Sequence, residues 1–287
     1  MKDTEGQIKI IVEDFLLQHV LECGQCFRFS SEGDSYRLVA KSKVLKVRQI
    51  GKELTLFCSV QEYQQIWMTY FDLERDYGEI KRLLGQKDPH LKKAVEEKHG
   101  IRILRQEPWE MLISFIISQT KQIPHIKKII EDLSNCYGTL IHESDGQAFY
   151  AFPTPQQLRS ATEDDLRALK VGFRAPYIWN ATYQIAHGKI QLEALEQMPY
   201  LEAKEILMSL NGVGSKVADC VLLFAYGKYE VFPTDVWVKR VVEHYYFKDE
   251  QIKMTGIQTF AKESFGDLAG FAQQYLFYHA RDNKIGK

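Results

Sequence analysis

The sequence predicts an α+β protein in which a small N-terminal antiparallel β-domain precedes an all-helical body. Three observations lead there. Residues 27–60 alternate apolar and polar positions with the two-residue period of strands, whereas from Gln61 onward the apolar positions recur at helical spacing. The length of 287 residues at 45% hydrophobic content is ample for a buried core. The change of period divides the chain into a β-domain with its following helices over residues 1–100 and a helical body over residues 101–287.

The strands are read first. Phe27-Arg28-Phe29, Tyr36–Ala40, Val44–Val47 and Leu54–Cys58 are short alternating runs, and Gly33-Asp34 and Gly51-Lys52 supply the turns of an antiparallel meander with one polar face. After Val60 the strand signal disappears. Helices are expected over Tyr63–Leu84, Trp109–Thr120, His125–Tyr137, Glu163–Lys170, Tyr177–His187, Leu201–Leu210, Lys216–Ala225, Val236–Tyr246, Ile257–Phe265 and Leu268–Arg281. Pro108 and Pro124 mark helix starts, Thr162 is an N-cap followed by the acids Glu163, Asp164 and Asp165, and Pro233-Thr234-Asp235 leads into another helix.

Composition removes several classes of function. With 37 basic and 38 acidic residues the net charge is -1, so no global field draws the chain to nucleic acid or an anionic membrane, and any nucleic-acid site must be a local patch. Apolar runs such as Met111–Ile117 are far shorter than the ~18–20 residues of a membrane helix. The first residues, Met1-Lys2-Asp3-Thr4-Glu5, lack the apolar region of a secretory signal. Five cysteines, an odd number without framework spacing, fit a reducing cytoplasm.

Chemistry concentrates in Leu210-Asn211-Gly212-Val213-Gly214-Ser215-Lys216, where one helix ends, two glycines flank an apolar residue and a second helix begins at once. Such a turn leaves backbone N–H groups free at a helix N-terminus, and these, with the positive end of the helix dipole, bind a phosphate oxygen. A plain helix corner with a glycine C-cap shares this outline. Lys216 stands in the first helical turn, against the dipole and beside Val217, Val221 and Leu222, a setting that lowers an ammonium pKa and makes a neutral, nucleophilic amine accessible. A solvated surface lysine is the competing reading. Asp235, at the next helix start, can serve as an N-cap, as a carboxylate facing a site, or as both.

At these residues the chain resembles the helix-hairpin-helix, Gly/Pro-Asp superfamily of DNA glycosylases, with the motif at about residues 201–226. Within it, Leu210–Ala225 together with Phe232–Arg240 is similar to the 8-oxoguanine DNA glycosylases, and the resemblance extends from about Phe15 to Arg281. Three further segments carry it. Cys23-Gly24-Gln25-Cys26-Phe27-Arg28-Phe29 resembles the family's Ser-Gly-Gln-x-Phe-Arg-Trp element, which implies that the Gly24 carbonyl accepts from the N7–H that distinguishes the oxidised base from guanine. A zinc or redox reading of the Cys23/Cys26 pair needs further ligands, and Cys58, Cys136 and Cys220 have no ligand spacing. Ala269–Phe277 resembles the start of the family's C-terminal helix. It implies that Gln273 bonds the Watson-Crick edge of a flipped base and that Phe277 stacks on one face, with Cys220 closing the other; without the resemblance Phe277 and Cys220 read as core residues. Gly172-Phe173-Arg174-Ala175-Pro176-Tyr177 resembles a Gly-Tyr-Arg-Ala-x-Tyr element, whose aromatic wedges beside the estranged base and whose Arg bonds it; a packed aromatic after a C-cap glycine is the plain alternative.

The activity this implies is excision of 8-oxoguanine from duplex DNA followed by strand nicking through β-elimination, with Lys216 as nucleophile and Asp235 stabilising the cationic transition state. Gly212, Val213 and Gly214 would hold the DNA backbone. No cofactor and no catalytic metal are implied, although a structural cation can bridge such hairpins to a phosphate. Double-stranded DNA is the expected partner of a monomer working in the cytoplasm at the nucleoid. An endonuclease III type relative would usually end in four closely spaced cysteines, and no cysteine follows Cys220. A non-catalytic hairpin module would need neither Lys216 nor Asp235. The chain departs from the eukaryotic pattern at Ser118–His125, where Thr120 stands at the first Asn of the gap-filling run and His125 at the Arg that bonds the orphaned cytosine.

Overall fold

A computed structural model describes residues 6–144 and 146–285; residues 1–5, read above for a leader, lie outside the described residues. The N-terminal sheet has five antiparallel strands, β1 (Ile8–Ile11), β2 (Phe29–Glu32), β3 (Ser35–Ala40), β4 (Lys43–Ile50) and β5 (Glu53–Phe57), in the order β1-β5-β4-β3-β2. The meander β2 to β5 is the one the alternation predicts, with Leu38 opposite Leu45 and Val47 opposite Leu56. Its middle turn carries no glycine: Lys41 and Ser42 take φ of 52° and 56°, the left-handed pair of a tight two-residue hairpin. The edge strand β1 escaped the sequence reading because its partner β5 is remote, Ile8 lying opposite Leu56. One sheet face, with Leu38, Leu45, Val47, Leu54 and Leu56, packs on Phe15, Val20, Leu21, Trp67, Tyr70 and Phe71.

The helix expected over Tyr63–Leu84 is broken. A short irregular helical run ends at Tyr70, Asp72 adopts φ 50°, and a new helix, Tyr77–Lys87, starts with Asp76 as its cap. The break is held by Asp72 Oδ2, which accepts from Arg75 Nε at 2.6 Å and from the Tyr77 hydroxyl at 3.0 Å. Helices Tyr77–Lys87 and Pro89–Glu97, the latter absent from the sequence reading, send Tyr77, Leu84, Leu91 and Ala94 into the core of the helical body.

At the centre of that body lie helices Pro108–Ser118 and Ser215–Tyr226, packed against each other, with every residue of Met111–Ile117 and Val217–Tyr226 buried. Helices apolar all round belong in a core, which is why these two carry the longest apolar runs. The body departs from all-helical in one two-stranded hairpin, β6 (Leu140–Ser144) with β7 (Gln147–Tyr150). Its strands are too short and too polar, with Leu140 half exposed, to declare a period. Among the described residues no helix is long and apolar enough to cross a membrane.

Candidate active site

The two central helices and their neighbours form a small, partly open pocket, about 60 Å³ in cavity volume, lined by Gly24, Lys216, Cys220, Asp235, Gln273 and Phe277. Cys23, Phe115, Phe224, Pro233, Val238 and Gln274 complete the wall. None of these six was read from the sequence as a pocket residue: Cys23 was weighed only with Cys26 as a metal or redox pair and Pro233 only as a lead into a helix, and it is the packing that turns all six toward the pocket.

Gly24 has φ 92°, a conformation that favours glycine, and a Cβ there would point at the Phe277 ring, 3.6 Å away. Its loop is lashed down by the neighbouring Gln25. That fully buried side chain donates to the carbonyls of Val20 and Arg102 at 2.8 and 2.7 Å and accepts from the Leu104 N–H at 2.9 Å, while Gln106 Nε2 donates to the Gln25 carbonyl at 2.8 Å. Burial pushes the Cys23 thiol up to about 12 and the Cys26 thiol well above its usual range, so both stay protonated. Among the described residues no group of three His, Cys, Asp or Glu side chains stands together as a metal site.

Lys216 opens the helix Ser215–Tyr226, whose N-cap, Gly214, has no side chain to bond the free N–H groups of the first turn. The Lys216 ammonium lies 5.0 Å from the centroid of the Phe115 ring. One turn further on, Cys220 is buried, and burial raises its thiol to about 11 against the opposing pull of Lys216. Asp235 is an N-cap as well as a pocket residue. Its Oδ1 accepts from the N–H groups of Trp237 and Val238 at 2.9 and 2.8 Å, leaving Oδ2 with no hydrogen bond among the described residues. Phe277 is held edge-on to Trp237, with ring centroids 5.2 Å apart.

The hairpin and the segments read as DNA contacts form a second, continuous group beside the pocket. Gly212 has φ 79°, and a Cβ there would sit 2.3 Å from the Tyr177 ring, so the hairpin can pack on that ring only as glycine. Val213 is buried and its N–H donates to the Leu210 carbonyl at 3.1 Å, so Val213 does not offer the free donor expected of it. Gly214 is exposed, with open space where a Cβ would stand. Gln119 Nε2 donates to the Gly212 carbonyl at 3.1 Å and ties the hairpin to the segment holding Thr120 and His125, both exposed. Thr120 has φ 54°, and its hydroxyl accepts from Arg174 at 2.7 Å. Arg174 is buried and also donates to the Val171 carbonyl at 3.0 Å, so both ends of its guanidinium are engaged within the protein. Its guanidinium carbon lies 4.2 Å from the ring centroid of Phe173, which is 54% exposed, a large protruding aromatic.

Comparison with known proteins adds the following. Residues 7–112 match the family described as 8-oxoguanine DNA glycosylase, N-terminal domain, and residues 113–265 the family described as HhH-GPD superfamily base excision DNA repair protein. The chain is 32% identical to a probable N-glycosylase/DNA lyase of Methanothermobacter thermautotrophicus, over 74% of this chain and 72% of that one. It is 30% identical to the N-glycosylase/DNA lyase of Saccharomyces cerevisiae, over 95% of this chain and 85% of the relative. Among solved structures it is similar to the 8-oxoguanine glycosylase/lyase of Clostridium acetobutylicum bound to double-stranded DNA with cytosine opposite the lesion, at 43% identity, a TM-score of 0.92, and coverage of 96% and 94% of the two chains.

Proposed function

The chain belongs to the HhH-GPD superfamily of base excision DNA repair proteins, and from that membership we infer that it is a bifunctional enzyme, which removes 8-oxoguanine from duplex DNA and then nicks the strand. The observation that carries this reading is one pocket lined by an amine, a carboxylate, a stacking ring and an amide, beside a hairpin with uncapped N–H groups.

In this reading the hairpin N–H groups at Gly214 and beyond grip a phosphate, Phe173 fills the gap left by the extruded nucleotide, and the base enters between Phe277 and Cys220. The protonated Cys220 thiol offers a neutral surface to the ring. The neutral amine of Lys216 attacks C1′, and the bond to the base breaks with its electron pair leaving on the base, which takes up a proton. Asp235 faces the positive charge that builds on the sugar, its position fixed because Oδ1 is already held by two backbone donors. The amine loses a proton, its lone pair forms the C1′=N bond as the C1′–O4′ bond breaks, and O4′ takes up a proton, which opens the sugar as a Schiff base. That imine accepts the electron pair left when a C2′ proton departs, and the resulting enamine returns the pair to form a C2′=C3′ double bond as the 3′ phosphate leaves with the electrons of its C3′–O bond. Neither step calls for a metal ion or a cofactor.

The division at residues 100/101, action as a monomer and residence in the cytoplasm at the nucleoid belong to the same proposal. Borohydride trapping on a duplex with a single 8-oxoguanine is the direct test: a covalent adduct is expected, and its absence with active, folded protein would refute the Schiff-base route.

A further inference from the structure

Gln273 and Gln274 are neighbours on the helix Ala269–Asp282, each only 4% exposed, and both line the pocket. An amide side chain has a donating and an accepting end of almost the same shape, so a glutamine aimed at a base reads it only if something decides which end is forward. Here Gln274 Nε2 donates to Gln273 Oε1 at 2.6 Å. One lone pair of Gln273 Oε1 is thereby engaged and the amide's orientation held, and its Nε2 has no protein partner among the described residues. Gln274 Oε1, in turn, is buried without a partner. An apolar side chain at this position would leave no such orphan, so packing alone does not account for an amide there.

We propose that Gln274 is a positioning residue that holds the Gln273 amide with its donor toward the base, selecting oxidised purines that carry an acceptor at position 6. This rests on the reading of the pocket as a base pocket. The need for such a device follows from the chemistry of the lesions. The N7–H assigned to the Gly24 carbonyl is common to 8-oxoguanine and 8-oxoadenine, so Gly24 cannot separate them. They differ at position 6, where guanine bears an accepting O6 and adenine a donating amino group. A fixed donor on Gln273 bonds the first and meets the second donor to donor.

The test is single-turnover excision from duplexes containing 8-oxoguanine, 8-oxohypoxanthine or 8-oxoadenine. Wild-type protein is expected to prefer both bases with an acceptor at position 6 over 8-oxoadenine. Gln274→Met keeps the length of the side chain but removes the donor, freeing the Gln273 amide to turn, and is expected to lower the ratio of 8-oxoguanine to 8-oxoadenine excision by about tenfold or more. A merely structural role would slow both reactions together and leave the ratio in place. An unchanged ratio in Gln274→Met overturns the proposal whatever the absolute rates. Equal wild-type excision of 8-oxohypoxanthine and 8-oxoadenine overturns it without recourse to any variant. Failure of wild-type protein to excise 8-oxoguanine at all would instead overturn the functional reading on which it rests.

Discussion

Asp235 performs two tasks that a pair of substitutions can separate. Its Oδ1 caps the helix Val236–Tyr246 by accepting from Trp237 and Val238 at 2.9 and 2.8 Å, while the carboxylate also faces the pocket. Asparagine caps about as well as aspartate, so Asp235→Asn should retain both backbone bonds and lose only the charge-dipole part of the cap, about 0.3–1 kcal/mol. Asp235→Ala removes the acceptor altogether, at a cost of about 0.5–2 kcal/mol. For a chain of this size, each kcal/mol lowers Tm by roughly 2 °C. The alanine variant should therefore melt a few degrees lower, and the asparagine variant close to wild type. Excision should respond differently. Stabilisation of a cationic transition state depends on the charge, so both variants should lose several orders of magnitude, at least the ~10²–10³-fold attached to a single preorganised electrostatic contact. Thermal melting followed by circular dichroism, paired with single-turnover excision of 8-oxoguanine, gives both numbers. Near-normal excision by Asp235→Asn would show that Asp235 is a cap and nothing more.

Three further outcomes are expected. Lys216→Gln should abolish the borohydride-stable adduct while DNA binding, measured by fluorescence anisotropy, stays largely intact, because the hairpin donors are backbone groups; undiminished trapping would sink the nucleophile assignment. The exposed His125 cannot offer cytosine the fixed two-donor fork of arginine, and Arg174 already donates to Thr120 and Val171. Discrimination among bases opposite the lesion should accordingly be weaker than in the eukaryotic enzymes, with appreciable excision opposite adenine, and His125→Arg should restore at most ~1–3 kcal/mol of cytosine preference. Single-turnover rates opposite each of the four bases decide this, and a strong cytosine preference in the wild-type protein would count against it. Chelators should leave excision unchanged and elemental analysis should find no stoichiometric iron or zinc, whereas metal lost together with activity would return attention to Cys23 and Cys26.

By itself the sequence determined what depends on residues within a turn or two of each other. The meander from Phe29 to Phe57 follows from alternation, and most helices of the body from apolar spacing and caps such as Thr162, whose hydroxyl accepts from the Asp165 N–H at 3.2 Å. The outline of the hairpin was legible for the same reason, since the end of one helix, two glycines and the start of the next are contiguous. Tertiary structure decided the rest. The pocket draws on segments around residues 24, 115, 220, 235 and 275, and no local period says that they meet. Glycine at 212 answers to the ring of Tyr177, and β1 to a strand over forty residues away. The fixing of Gly24 by Gln25 through Arg102 and Leu104 and the joining of Thr120 to Arg174 have the same origin. Hydrogen-bond direction is the finest case: two adjacent glutamines read alike in sequence, and only their packed geometry sets which one gives and which one accepts.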